Sequence, residues 1–220
     1  MVELTGELDP ARVAENLARV RAEVDAAAAG AGRAPGEVEI LAATKYVASE
    51  HLGALARAGV TLLGENRAQD LVAKAEAWPG RFTWDFIGHL QSRKVRQIVP
   101  HVRLIHSVAS ASALSQLARH GTPETEILIE VNVSGEDAKS GINPGELDAF
   151  LERAPCRVTG LMTMPPFASD PEASRPYFAA LRELAAARGL PRLSMGTSQD
   201  YAVAASEGAT IVRLGSVLYA

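Results

Sequence analysis

The 220-residue sequence predicts an α/β fold, a (β/α)8 barrel formed as one domain over residues 1–220. Three observations predict it. Eight short apolar runs alternate with helix-like stretches at a mean period of about 25 residues, close to one strand–helix unit. Several runs are apolar throughout, without strict alternation, the pattern of parallel strands covered on both faces. Apolar residues make up 47% and charged residues 22%, and the chain is long enough to bury a full core. An open doubly wound sheet is the alternative. It requires a reversal of strand order that a sequence does not display.

A helix is expected first, over about residues 9–30. Asp9 supplies its cap and Pro10 suits its first turn. Val13, Leu17, Val20 and Val24 line one face, and Gly30 and Gly32 end it. The strand runs are Val38–Ala43, Val60–Leu63, Trp84–Ile87, Val102–Ile105, Ile127–Val133, Arg157–Met162, Arg192–Met195 and Ile211–Leu214. Helices are expected at Glu50–Arg57, Ala68–Ala77, Gln91–Ile98, Ala111–Arg119, Pro144–Leu151, Pro171–Arg188 and Ser198–Glu207. No trailing helix is expected after the eighth strand, so the N-terminal helix should take that place in the outer ring. The Pro- and Gly-rich pieces at 34–36 and 164–166 are short loops, and no linker divides the chain.

A net charge of −4 argues against a nucleic-acid footprint. No apolar stretch approaches the ~18 residues of a membrane span. The first seven residues are acidic and carry no apolar signal segment. The single cysteine, Cys156, fits a reducing cytoplasm and reads as a small core residue. The five histidines show no metal-ligand spacing, so no metal is expected.

In such a barrel, functional groups sit where strands end and loops begin. The first strand runs into Lys45. Apolar neighbours are expected to half-bury this amine; desolvation disfavours the charged form, and a neutral amine attacks an aldehyde. The alternative is a solvated lysine at a strand end. Ser194-Met195-Gly196-Thr197-Ser198-Gln199-Asp200 follows the seventh strand, and Gly215-Ser216 the eighth. Gly196 lets the backbone approach a ligand closely. Turns of this kind offer N–H and O–H donors to a phosphate, and the loops after strands seven and eight are its habitual site. The first turn also reads as an ordinary helix start, with Thr197 or Ser198 as cap and Asp200 completing a capping box. A phosphate cradle with a strand-end lysine is what pyridoxal 5′-phosphate (PLP) requires.

Arg213 lies inside the eighth run, where a buried guanidinium needs a partner. The partner is either a carboxylate or the pyridine nitrogen of the cofactor. A permanent positive charge beside that nitrogen keeps it unprotonated and weakens the ring as an electron sink. Asn66 is a cap for the next helix or a hydrogen-bond partner of the ring hydroxyl. Arg93 and Lys94 attract an anion or form a solvated helix face. His106, Ser107 and the stretch 162–164 are expected to pack at the barrel mouth.

These residues resemble the pyridoxal phosphate homeostasis protein family. The matching pieces are Ala43-Thr44-Lys45, Gly64-Glu65-Asn66, Phe86-Ile87-Gly88-His89-Leu90-Gln91-Ser92, His106-Ser107-Val108, Gly160-Leu161-Met162-Thr163-Met164, Ser194-Met195-Gly196 and Val212-Arg213-Leu214-Gly215-Ser216. The resemblance runs from about Val13 to Tyr219. It implies a TIM barrel like the N-terminal domain of alanine racemase, with Lys45 as the Schiff-base lysine and Arg213 facing the pyridine nitrogen. It places Ser194, Gly196, Thr197, Gly215 and Ser216 around the phosphate. The family usually has Met at the position of Thr197 and often Thr at that of Ser216, which blurs which hydroxyl touches the phosphate.

Two functions compete on this reading. One is a cytoplasmic protein, monomeric or alternatively dimeric, that stores, buffers or delivers PLP, with PLP-dependent apoenzymes as recipients. The other is a PLP-dependent racemase or related enzyme. Two-base racemisation needs an acid/base on each face of the substrate. In racemases of this barrel type an added β-domain supplies a tyrosine, and this chain has no length left for one. Tyr46, Tyr201 and Tyr219 show no positioning device in the sequence, so the binding role is favoured. A barrel enzyme acting on a sugar phosphate explains the cradle but gives Lys45 and Arg213 less to do.

Overall fold

Every run read as a strand becomes one, and the last pairs with the first. The computed structural model describes residues 8–136 and 138–220. Its strands are β1 (Glu39–Ala43), β2 (Leu62–Glu65), β3 (Thr83–Phe86), β4 (Leu104–Val108), β5 (Glu126–Glu130), β6 (Arg157–Met162), β7 (Arg192–Ser194) and β8 (Ile211–Leu214). They form a closed parallel barrel in sequence order. Closure sets Ile40 beside Val212 and Leu41 beside Arg213. The open sheet is thereby excluded.

Three strands depart from expectation by two residues or more at an end, and β1, β3 and β7 by a single residue. β2 begins at Leu62 and runs on through Gly64 and Glu65, because the Glu65 carboxylate is buried against Lys74 instead of ending the strand in solvent. β4 runs on through His106 and Ser107 to Val108, all buried. β5 stops at Glu130; beyond it Val131 N donates to Met162 O at the end of β6 at 2.9 Å, and Val131 pairs with Ile142 of the following loop.

The helices are α1 (Pro10–Gly30), α2 (Leu52–Arg57), α3 (Ala68–Ala77), α4 (Val95–Ile98), α5 (Ala111–His120), α6 (Leu147–Glu152), α7 (Arg175–Ala186), α8 (Tyr201–Ser206) and α9 (Ser216–Tyr219). The starts expected at 50, 91, 144 and 171 are tight 3-10 turns that lead into α2, α4, α6 and α7. Asp9 caps α1, its Oδ1 accepting from Ala11 N at 2.9 Å. Val13, Val20, Val24 and Ala28 are buried where α1 packs on α8, α9 and α2. The N-terminal helix therefore fills the ring position after β8, as expected. A one-turn helix, α9, does follow β8, contrary to expectation. Its end is tied to α1 by Asn16 Nδ2 donating to Leu218 O (3.3 Å) and Ala220 O (3.0 Å).

The core has two layers. Leu41, Leu62, Leu104, Leu128, Met162 and Ile211 form the inner cluster, and the larger cluster joins strands to helices. Each fully buried aliphatic side chain contributes ~1.5–3 kcal/mol. This packed interior is a floor, and the loops at the C-terminal strand ends stand above it. No helix among the described residues is long and apolar enough to cross a membrane.

Candidate functional site

The loops after the strands enclose a cavity of about 760 Å³. Lys45, Asn66, Thr197, Arg213, Gly215 and Ser216 line it, although the sequence holds them far apart. Tyr46, Ile87, Gly88, Met164, Ser198 and Tyr219 complete much of the wall. Ser194 and Gly196 do not line the cavity.

Lys45 is exposed, not half-buried. β1 ends at Ala43, and Lys45 lies two residues further on, in the turn at the barrel mouth. Its Nζ stands 5.0 Å from the centroid of the Tyr46 ring. The turn is held from below. Lys74 Nζ donates to Thr44 O at 2.9 Å and to the Glu65 carboxylate. Thr44 Oγ1 donates to Glu65 Oε1 at 2.8 Å. The residue before Lys45 is thus clamped through both its carbonyl and its hydroxyl.

Asn66 does not cap α3; the cap position is Arg67, with no side-chain bond. Asn66 Oδ1 is buried and has no partner among the described residues. It is held at this spot partly by an absence at Gly88. A Cβ there would lie 2.1 Å from Asn66 O, so only glycine lets the end of β3 pass so close.

The turn after β7 leads into α8, but neither Thr197 nor Ser198 caps that helix; the cap position is Asp200, with no side-chain bond. Thr197 N donates to Asp200 Oδ1 at 2.7 Å, one half of a capping box, and Thr197 Oγ1 donates to the same oxygen at 3.1 Å. Gly196 has φ +93°, and a Cβ would lie 2.5 Å from Ala204 Cβ. Packing against α8 and its positive φ therefore both require glycine here. Ser198 Oγ accepts from Gly215 N (3.1 Å) and Val217 N (3.4 Å), which joins the two turns.

Among the described residues, Arg213 has no carboxylate in direct contact. Its Nη1 donates to Ser194 Oγ at 2.6 Å and its Nη2 to Thr163 O at 3.0 Å. Burial pushes its pKa down to about 10, against the attraction of Glu130 and Asp200, so it is charged at neutral pH. Ser194 lies wholly buried beneath the cavity, and its hydroxyl is occupied by Arg213 and, at 2.8 Å, by His106 Nδ1. It is a support of Arg213 and lies outside the anion turns where the sequence placed it.

His106 is fully buried inside the barrel. Its Nε2 lies 3.1 Å from Asp85 Oδ2. Sequence reading missed Asp85, Glu65 and Lys74. The signal was present for Asp85, an acid within the apolar run 84–87, as Arg213 is a base within 211–214. Arg93 and Lys94 line a separate cavity of about 560 Å³ that shares Asn66 with the first. Cys156 is half-buried, and burial pushes its thiol up to about 11, as suits an inert packing residue. Among the described residues no cluster of metal-ligating side chains occurs.

The family described as alanine racemase, N-terminal domain, matches residues 9–220. The pyridoxal phosphate homeostasis protein of Aquifex aeolicus is 39% identical over 219 residues, 93% of this chain and 96% of that protein. Its Pseudomonas aeruginosa counterpart is 39% identical over 217 residues, 94% of each chain. The structure of PipY from Synechococcus elongatus without PLP matches with a TM-score of 0.82 at 29% identity, covering 94% of this chain and 100% of PipY. The PLP-bound form of PipY gives 0.79 at 28%, with the same coverage. Alanine racemase of Corynebacterium glutamicum shares the fold alone, with a TM-score of 0.74 at 16% identity over 97% of this chain and 62% of the racemase. The chain belongs to the alanine racemase N-terminal-domain family and, within it, to the pyridoxal phosphate homeostasis proteins.

Proposed function

We propose that this chain binds PLP at the barrel mouth and stores, buffers or delivers it in the cytoplasm, as a monomer with no turnover of its own. One observation carries the reading: a lysine amine, a buried guanidinium and two hydroxyl-bearing turns share one cavity. The PLP-bound state of the PipY relative supports it. PLP supplies an aldehyde that bonds an amine and a ring that withdraws electrons.

The residues fit that molecule. Lys45 bonds the aldehyde end. Asn66 Oδ1, buried and without a partner among the described residues, accepts the ring hydroxyl. Arg213 faces the ring nitrogen and keeps it unprotonated. Thr197, Gly215 and Ser216 hold the phosphate. The amides of Gly215 and Val217 already converge on one oxygen, Ser198 Oγ, which marks this corner as an acceptor site. Ser194 and Gly196 contribute as supports, the first of Arg213 and the second of the turn.

Two of the three candidate tyrosines are engaged elsewhere, which favours holding over turnover; the third, Tyr46, lines the cavity. Tyr219 OH donates to Ala43 O at 3.2 Å, and burial lifts its pKa above the ordinary phenol range, so it stays protonated and is not available as a base. Tyr201 OH is bonded to Glu23 on α1. PLP-dependent apoenzymes are the natural recipients of a cofactor held in this way.

The test is reduction of the loaded protein with borohydride, followed by peptide mapping. The label is expected on the peptide bearing Lys45, and a label on another lysine rejects the assignment. Lys45→Ala should lose the covalent adduct and retain weak binding through the phosphate. Incubation with L-alanine in deuterated water should leave α-hydrogen in place; rapid exchange would establish the racemase instead.

A further inference from the structure

A single file of hydrogen bonds runs through the barrel from the face opposite the cavity up to Arg213. Glu39, at the start of β1, accepts from Arg103 Nη1 at 2.5 Å and from Nη2 at 3.2 Å. Arg103 donates onward to Asp85, Nε to Oδ1 at 3.0 Å and Nη2 to Oδ2 at 2.7 Å. Asp85 meets His106, His106 meets Ser194, and Ser194 meets Arg213 at the separations given above. Asp85, His106 and Ser194 are wholly buried. Only Arg213, the last member, reaches the cavity.

Such a file is costly. Apolar side chains of the same volume would fill a barrel at least as stably. The inner cluster of leucines shows that this barrel accepts them.

The chemistry of the groups assigns every proton. A guanidinium only donates, so Ser194 Oγ is the acceptor for Arg213 Nη1. The hydroxyl proton of Ser194 then points at His106 Nδ1, the remaining neighbour able to accept it. His106 therefore carries its proton on Nε2, and that N–H donates to the Asp85 carboxylate. Two flanking conditions hold this state. Burial of Asp85 pushes its carboxyl up, but hydrogen bonds from His106 and Arg103 outweigh it and hold the group below the usual carboxylate range. Burial keeps His106 neutral below its ordinary value; Asp85 opposes this, and Arg213 and Arg103 reinforce it.

We propose that Asp85 and His106 are positioning residues for Arg213: they lock the Ser194 hydroxyl as an acceptor, and so orient the guanidinium toward the ring nitrogen of bound PLP. The proposal rests on the PLP reading for its consequence and on the barrel interior alone for its cause. Asp85→Leu removes the acceptor of the His106 Nε2 proton, while Arg103 keeps Glu39 as its partner. The neutral imidazole then regains a hydrogen bond by moving its proton to Nδ1, where Ser194 Oγ accepts it. Ser194 then faces two donors, and its own proton loses its acceptor. Arg213 turns away from its present orientation.

The test has two independent arms. Nitrogen-15 NMR of His106 in the protein without cofactor should show neutral imidazole protonated at Nε2, and protonated at Nδ1 in Asp85→Leu. A wild-type imidazolium, or the same tautomer in both proteins, overturns the proposal, whatever the ligand proves to be. The second arm titrates PLP into each variant by its visible absorption across pH 6–9. Losing one hydrogen bond to a charged group predicts about ten- to hundredfold weaker binding in Asp85→Leu. The absorption band should also become pH-dependent in that range, because the ring nitrogen is no longer kept unprotonated. His106→Asn keeps an acceptor oxygen near the place of Nδ1 and should retain binding within a few-fold. Ser194→Ala should behave as Asp85→Leu does, and it serves if that variant fails to fold. Unchanged affinity and spectrum in both Asp85→Leu and Ser194→Ala reject the positioning role. Failure of wild type to bind PLP at all, with the Nε2 tautomer intact, rejects the PLP reading alone.

Discussion

At the scale of single residues, the site depends on charges that the barrel buries in compensated form. Lys74 and Glu65 make a buried ion pair beneath the Lys45 turn. Breaking such a pair leaves one charge without a counter-ion, which costs ~3–5 kcal/mol. Lys74→Met should therefore lower unfolding free energy by about that amount in urea titrations. Adding Glu65→Leu should recover most of the loss, because both charges then disappear together. A loss below ~1 kcal/mol in the single variant would mean that water reaches the Glu65 carboxylate. The clamp also explains how an exposed Lys45 is kept at one place. Its order comes from Thr44, whose carbonyl and hydroxyl are both bonded.

At the scale of elements, α1 decides whether the barrel seam is covered. The closing pair, β1 with β8, lies under α1, which packs between α8 and α2. Two devices hold the helix: the Asp9 cap and the buried row of Val13, Val20 and Val24. Asp9→Ala should cost ~1 kcal/mol, read as an earlier urea midpoint with an unchanged slope. No change at all would show that packing alone fixes the helix start. The turns after β7 and β8 are joined through Ser198 Oγ. Each turn is short, and together they form one corner of the cavity.

For the molecule as a whole, the interior file makes stability depend on pH. His106 is held neutral in the folded state, with its pKa lowered, while the unfolded chain protonates near pH 6.5. Its contribution is fully present above that value and is lost as pH falls below it. Asp85, lowered in the folded state, adds a second loss as pH falls below about 4, where the unfolded carboxyl takes a proton first. Melting temperature should therefore decline in two steps between pH 7 and pH 3. His106→Asn should flatten the upper step and leave the lower one. A melting temperature constant from pH 7 to pH 5 in wild type would contradict a buried neutral histidine.

Local pattern determined much of this protein by itself. The period of strand and helix, the two-faced apolar runs and the Asp9-Pro10 start are short-range properties, and each became the element that it implied. That Lys45, Asn66, Arg213 and the two hydroxyl turns meet in one cavity was legible because strand ends are where a barrel gathers its chemistry. Only the tertiary structure decided what faces what. Side-chain direction at a strand end depends on register and on neighbours from other strands, so the exposure of Lys45, the retreat of Ser194 beneath the floor and the packing need at Gly196 lay outside the reach of sequence. The file from Glu39 to Arg213 was hidden for the same reason. Its members come from β1, β3, β4, β7 and β8 and the residue before β4, and barrel closure alone brings them within hydrogen-bond distance.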